Sequence, residues 1–321
     1  MFTVILTIIP TNIFAYSDYI IPSGENIGIS INSKGILIVG TYEIDGISPA
    51  NQAKLKIGDK IVKINDVGVD SIKDMVNQIE KSGKELNIKI TYIRGNNQHN
   101  TNIKLIHDKN GVVKTGLYVK DNISGIGTIS YIDPKTKIYG ALGHEIIEKN
   151  SGQKIEVKDG NIYSSTVTGI DKSIKGNPGA KNATYSKDNV LGIVNKNTIS
   201  GIFGEYSSNI KQENLKKVAQ PNEIKIGQAK IRTVISYDEV EEFDIEIIRL
   251  NDDKNQETKN ILFQITDEKL LEKTGGVVQG MSGSPIIQGD YIIGAVTHVV
   301  VDDSSKGYGI FIVNMLEEGE K

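Results

Sequence analysis

Apolar positions in this chain alternate with polar ones far more often than they recur at helical spacing, so strands dominate the reading. Ile27 to Ile31 and Gly35 to Val39 read as strands around a short turn. Within Ile47 to Leu55, Ser48-Pro49 opens a helical stretch: a serine cap, then the residue whose fixed φ suits the first turn. Gly58-Asp59 turns the chain, Ile61, Val62 and Ile64 lie in a strand, and Asn65 to Gly68 reverse it. Ser71 caps an amphipathic helix through Lys81, with Ile72, Met75 and Ile79 on its apolar face. Leu86 to Ile93 alternates as a strand, and Thr101 to Ile106 closes the unit.

From Asp108 onward the pattern shifts to short apolar pieces separated by glycine, asparagine and lysine. Strands are expected at Ile126–Ile132, Ile155–Val157, Tyr163–Ile170, Val190–Val194, Ile199–Phe203, Glu223–Ile235, Phe243–Arg249 and Ile261–Ile265, with a helix at Asp267–Lys273. Many short strands and little helix predict a β-barrel or sandwich, with too few crossovers for a parallel α/β fold. Two further apolar segments follow Pro285.

The 321 residues leave room for two domains or a domain plus a small module, and 38% hydrophobic content supports packed cores. A formal charge of −3 and a pI near 5.9 give no bulk attraction to nucleic acid, and no basic cluster is interleaved with aromatics. The chain has no cysteine, which excludes disulfides, thiolate nucleophiles and cysteine-ligated metal sites. Met1 to Ala15 is almost wholly apolar or small, too short to span a bilayer comfortably, and lacks a basic leader. It reads as a weak or truncated signal or anchor segment, residues 1–15.

Candidate chemistry concentrates in GGVVQGMSGSPIIQGDYIIGAVTHV, Gly275 to Val299. Its turn, Gln279 to Pro285, sets Ser282 among small residues that let backbone N–H groups converge on one point. A serine nucleophile also needs a base, and the chain has four histidines: His99, His107, His144 and His298. His99 and His107 sit at the polar end of the first unit. His144, in YGALGHEI, follows a glycine-rich approach to a turn, and His298 lies within GAVTHVVV. HEIIE lacks the second histidine of the zinc motif HExxH, and GNPGAKN lacks the GK[ST] ending of a phosphate loop. The serine turn reads GMSGS rather than GxSxG, which argues against an α/β-hydrolase.

The order of elements around SPANQAKLKIGDKIVKINDVGV resembles a PDZ domain of the bacterial protease-associated kind, over residues 24–107. That resemblance implies a carboxylate-binding loop at Asn26-Ile27-Gly28-Ile29. It also implies a peptide groove between the Ile29–Ile31 strand and the Ser71–Lys81 helix, touching Ile27, Gly28, Ile29, Ile31, Ile72 and Met75. GMSGSP resembles the GDSGGP-type nucleophile turn of chymotrypsin-like peptidases. Together with GALGHEI and ITDEKLL, these motifs resemble the stage IV sporulation protein B peptidase family of spore-forming Firmicutes.

The family resemblance implies a mainly β chain: an N-terminal PDZ-like α/β module, then a chymotrypsin-like β-barrel serine peptidase domain over residues 108–321. It implies His144, Asp267 and Ser282 as catalytic residues, although Asp171 and Asp188 also fall between histidine and serine. Gly280 and Ser282 are the oxyanion-hole candidates, and no cofactor or metal is called for. The substrates so implied are the protein itself and a membrane-bound regulator of an intramembrane protease, met in the space between the two forespore membranes. The alternative is a non-catalytic PDZ scaffold with a degenerate protease-like barrel; a transport or carbohydrate-binding β protein would need more aromatics than this chain offers.

Overall fold

The computed structural model describes residues 16–83, 85–210, 214–253 and 256–321; the apolar start, Met1 to Ala15, lies outside the described residues. A short strand β1 (Tyr19–Pro22) leads into the long strand β2 (Asn26–Thr41). Next come helix α1 (Pro49–Gln52), strands β3 (Lys60–Ile64) and β4 (Val67–Gly68), and helix α2 (Ile72–Lys81). The hairpin β5 (Asn87–Arg94) and β6 (Asn97–Lys104) and the small pair β7 (Ile106–His107) and β8 (Val113–Lys114) precede a second long strand, β9 (Leu117–Ile132). Strands β10 (Ile138–Ala141), β11 (Val157–Asp171), β12 (Ala180–Ile193), β13 (Lys196–Thr198), β14 (Gly201–Glu205) and β15 (Lys216–Val218) follow. The chain then forms β16 (Gly227–Val234), β17 (Val240–Leu250), β18 (Ile261–Ile265) and helix α3 (Glu268–Thr274). It ends with β19 (Pro285–Gln288), β20 (Tyr291–Val299), β21 (Lys306–Phe311) and helix α4 (Ile312–Glu320).

Three apolar cores organise these elements. One lies under α1, α2, β3, β5 and β6, where Ile36, Ile38, Ala50, Leu55, Ile61, Ile64, Met75, Ile88, Ile90 and Ile103 pack together. Ser71 and Ser48 cap the two helices through their hydroxyls, as their positions in the sequence predict. A second core holds Ile27, Ile29, Ile31, Ile129, Tyr139, Ala141, Ile162 and Ile202 inside a first barrel, in which β14, β10, β9, β2, β11 and β12 pair in that order and a bridge between Gly192 and Tyr206 closes the ring. The third fills a ring that closes on itself: β16 pairs β17, β17 pairs β18, β18 pairs β21, β21 pairs β20, β20 pairs β19, and β19 returns to β16. Closure leaves that barrel no unpaired edge.

Two long strands tie the units together, and here the structure departs from the sequence reading. Ile27–Ile31 and Gly35–Val39 do not fold back on each other; both belong to the single strand β2. Its first half pairs with β9 along Asn26–Asn32 and, on the opposite edge, with β11 along Ile27–Ser33. Its second half leaves β11 to pair with β3, while β9 follows it throughout. The irregularity between the halves centres on Gly35, whose φ of +82 and whose bare Cα face, 2.9 Å from the Ile61 carbonyl when a Cβ is built, suit no other residue.

The peptide groove expected along Ile27, Gly28, Ile29 and Ile31 is therefore closed. Both edges of that segment are saturated by β9 and β11, and the three isoleucines are core residues of the first barrel. Met75 is likewise buried, in the core beneath α2, while Ile72 is only partly buried beside it.

In the module that carries α1 and α2, Arg94 grips Asp59 through two parallel bonds, Nε to Oδ1 at 2.6 Å and Nη2 to Oδ2 at 2.7 Å, and donates to the Lys54 carbonyl. Asp59 is only 1% exposed, so the fork, with the Lys56 N–H at 2.8 Å, supplies the hydrogen bonds that water cannot. Arg94→Met strands the carboxylate and is expected to cost about 2–3 kcal/mol, discounted for the partial exposure of the guanidinium. Denaturant unfolding checks the magnitude, and hydrogen exchange in β3 and β5 checks the location; unchanged protection there would contradict it.

Candidate active site

The cleft between the two barrels, about 660 Å3, takes residues from both. The first barrel contributes Ile29, Leu142, His144 and the Ile123–Ile126 stretch of β9, and the second contributes Gly280, Ser282 and His298. The fold thus brings His144 and Ser282 to one cavity from positions far apart in sequence.

Ser282 is held by its neighbours rather than by its own turn alone. Helix α3 ends in Gly275 at φ +69, and the chain runs on through Gly280 at φ +93 and Gly283 at φ +95. Thr128 of β9 donates its backbone N–H to the Ser282 carbonyl at 3.1 Å and its hydroxyl to the Gly280 carbonyl at 2.8 Å. A Cβ on Gly283 would lie 2.0 Å from the Thr128 carbonyl oxygen, so only glycine fits. The N–H groups of Met281, Gly283 and Ser284 bond to the carbonyls of Val278, Val296 and Met281. Those of Gly280 and Ser282 meet no acceptor among the described residues, which leaves two donors for an oxyanion.

His144 follows β10 by a short turn and is half-buried. Its Nδ1 lies 2.9 Å from the Glu145 carbonyl. With Nδ1–H donating there, the lone pair sits on Nε2, the tautomer a general base needs. Burial holds its pKa below the ordinary histidine value, against the pull of the Glu145 carbonyl. The ring of His298 stands 5.3 Å from that of His144, tilted by 40°. Burial, then the neighbouring His144 and Lys259, lower the His298 pKa to about 4. Near neutral pH both imidazoles are uncharged. The Ser282 hydroxyl donates to the Thr297 carbonyl at 2.9 Å and not to His144.

Asp267 does not join the pair in this structure. It is the N-cap of α3, where Oδ1 accepts from Leu270 N at 2.9 Å and Oδ2 from Asp244 N at 3.4 Å. A helix that starts directly after β18 needs such an acceptor for its first-turn amides, and Asp267 supplies it. Asp171 ends β11, paired with Ala180, and Asp188 bonds to Ser186 on the exposed part of β12. His99 stacks on Tyr92 in the β5–β6 hairpin, and His107 is in the small β7–β8 pair. No group of metal-ligating side chains occurs among the described residues.

Sequence reading missed the supports. Thr128, Thr233, Thr297 and Lys181 carry no motif, and only the tertiary fold shows their role. Lys181 of β12 is 2% exposed and forms no ion pair among the described residues; its Nζ donates to Thr233 Oγ1 at 2.9 Å. Ser284 Oγ donates to the same oxygen at 2.9 Å, and the Lys181 stem lies against Gly280, 3.2 Å from the position of its missing Cβ.

Comparison with known proteins covers both parts of the chain. The family model described as SpoIVB peptidase S55 matches residues 111–316, and the PDZ domain model matches residues 26–105. Among solved structures, the PDZ domain of the SdrC-like protein from Listeria monocytogenes aligns at 24% identity and a TM-score of 0.24. The alignment covers 28% of this chain and 93% of that one. No curated protein matches.

Burial lowers the Lys181 pKa to about 7 from an ordinary 10.5. Between those values the unfolded chain binds a proton that the folded chain does not, so stability rises with pH through that window. Lys181→Met removes the linkage. The variant is expected to be more stable than wild type below pH 7, with the difference shrinking by about 1.4 kcal/mol per pH unit as pH climbs through the window. Parallel unfolding curves at pH 6 to 10 measure it; a difference that does not change with pH would count against a charge-burial cost.

Proposed function

The chain belongs to the SpoIVB peptidase S55 family and is a sporulation-related serine endopeptidase with a PDZ domain, and from that premise we propose that Ser282 is its nucleophile and His144 its general base. The observation that carries this reading is the inter-barrel cleft, where one serine, the two neutral imidazoles of His144 and His298, and two amides without acceptors converge.

In the proposed reaction the Ser282 hydroxyl leaves the Thr297 carbonyl, which an incoming peptide N–H then takes, and turns to His144 Nε2. The imidazole accepts the hydroxyl proton as Oγ attacks the scissile carbonyl and gives it to the departing amine, leaving an acyl-serine; it then takes a proton from a water that attacks this ester and returns it to Ser282 Oγ as the acid leaves. The amides of Gly280 and Ser282 receive the oxyanion. The Glu145 carbonyl orients the ring, the part that a carboxylate plays in the common triad. By family resemblance the substrates are the chain itself and a membrane-bound regulator of an intramembrane protease, cut between the two forespore membranes to trigger late sigma-factor activation. Among the described residues no helix is long and apolar enough to cross a membrane. The segment proposed to carry export or anchoring is Met1–Ala15.

Labelling purified protein with a serine-reactive phosphonate, mapping the modified peptide and measuring self-cleavage test the assignment. Ser282→Ala is expected to abolish labelling and cleavage with circular dichroism unchanged, and His144→Ala to reduce turnover by several orders of magnitude. Self-cleavage by folded Ser282→Ala at the wild-type rate would refute it. Because Asn caps a helix as well as Asp, Asp267→Asn separates its two roles. A rate near wild type leaves Asp267 as the cap of α3, whereas a loss of about two orders of magnitude or more assigns its carboxylate to the imidazole.

The pH dependence follows from the histidine. A base is active when unprotonated, and burial lowers the pKa of His144, so kcat/KM is expected to stay high as pH falls through 6.5 and to drop only below it. A profile with its acid limb centred above pH 6.5 would contradict that environment for the base.

A further inference from the structure

The edge expected to receive a peptide is closed, yet another is open. Strand β9 pairs with β2 along one side from Leu117 to Thr128. On its other side β10 covers only Ile129–Ile132, and among the described residues no strand pairs with the stretch from Leu117 to Ile126. Thr128 turns its N–H to the Ser282 carbonyl and its own carbonyl to Leu142 N, both away from β2. Alternation along an antiparallel strand then points the peptide groups of Ile126 and Ser124 to the same open side.

This edge has two different surroundings. At its C-terminal end Ile123, Ser124, Gly125 and Ile126 line the cleft that holds Ser282 and His144. Toward its N-terminal end it runs beside α2, whose first amide, Ile72 N, bonds to Asp121 Oδ2 of β9 at 2.7 Å. There Val76 of α2 and Tyr118 of β9 expose apolar side chains, at 45% and 57%. One strand edge thus leads from the nucleophile to the helix of the PDZ module, with register shifts against β2 opposite Asn122–Lys120 and Val119–Tyr118.

Resting on the assignment of Ser282 and His144, we infer that this edge is a docking rail for the part of the substrate that follows the scissile bond, bound as an added antiparallel strand reaching α2. The direction follows from the chemistry. His144 protonates the departing amine, and it emerges from β10 on the open side of β9, so the leaving half of the substrate lies along β9. The occupant is an extended, unstructured peptide segment, because an open edge offers backbone hydrogen bonds to any strand that can lie flat on it. From Leu117 to Ile126 at ~3.3 Å per residue the rail spans roughly 30 Å, a tail of about nine or ten residues.

The test uses the full chain and synthetic peptides that share one cleavage sequence but carry C-terminal tails of three to twelve residues. Affinity is measured by fluorescence anisotropy on folded Ser282→Ala protein, so it does not depend on turnover, and kcat/KM is measured on wild type. Both are expected to rise at least tenfold as the tail lengthens and to level off near nine or ten residues. N-methylation of single tail residues should weaken binding at every second position only, the signature of strand addition. Ser124→Pro removes an amide from the open edge and should cancel the gain from long tails; phosphonate labelling of that variant shows whether its site is intact. Affinity and kcat/KM independent of tail length, or N-methyl effects without the two-residue period, would overturn the rail even where Ser282 is labelled and peptides are cut. Loss of labelling and cutting in the wild type would instead strike the assignment of the nucleophile.

Discussion

Two hydrogen bonds from Thr128 set the geometry on which the site depends. One residue of the first barrel fastens the carbonyls on both sides of Met281, in the nucleophile turn of the second. Those two bonds fix the 280–281 and 282–283 peptide planes, while the Lys181 N–H on the Gln279 carbonyl and the Ser284 N–H on the Met281 carbonyl fix the planes that carry the amides of Gly280 and Ser282, which stay without partners. A turn closed only by its own bonds would be free to rotate those amides inward to satisfy them. The approach is so close that position 283 tolerates no side chain, and Thr128 is fully buried, so water does not compete for its bonds.

The same strand that carries Thr128 explains why the two catalytic groups meet. Strand β9 pairs with β2 for most of its length and, beyond Thr128, with β10, so the imidazole following β10 is placed relative to the same backbone that grips the serine turn. The PDZ module is also built onto β2 and β9 rather than joined by a flexible linker. A displacement of α2 along β9 therefore acts on backbone continuous with Thr128.

The strand-rich architecture, the capped helices at Ser48 and Ser71 and the family were legible in the sequence, because each rests on a local signal: alternation, a cap, or a motif of small residues. The ends of β9 were not. Lys120, Asp121, Asn122, Ser124 and Gly125 break the apolar alternation, so only Ile126–Ile132 read as a strand, while pairing with β2 extends it back to Leu117. The same long-range pairing turned the expected hairpin of Ile27–Ile31 and Gly35–Val39 into one strand and moved the isoleucines from a groove into a core. Asp267 shows the limit from the other side. An acid before LLEKTGG serves as a helix cap or as a partner for histidine with the same letters, and only its bond to Leu270 N reveals which neighbour it has taken here.

The lysine beneath the turn shows how the protein tolerates a buried amine so near a catalytic centre. A cation with no counter-ion would be costly there, and burial alone accounts for its lowered pKa. A threonine hydroxyl offers one proton and two lone pairs, so Thr233 can serve Lys181 and Ser284 whether the amine donates to it or accepts from it. Its hydrogen bonds can therefore persist through loss of the proton, whereas an ion pair would not. The arrangement also spares the cleft an electrostatic conflict. A carboxylate placed to neutralise Lys181 would put a permanent negative charge close to the amides of Gly280 and Ser282, where the transition state needs their positive ends unopposed. The hydroxyl pair anchors the far side of the turn at Ser284 without adding charge, and the positive potential at the oxyanion position is left to the backbone.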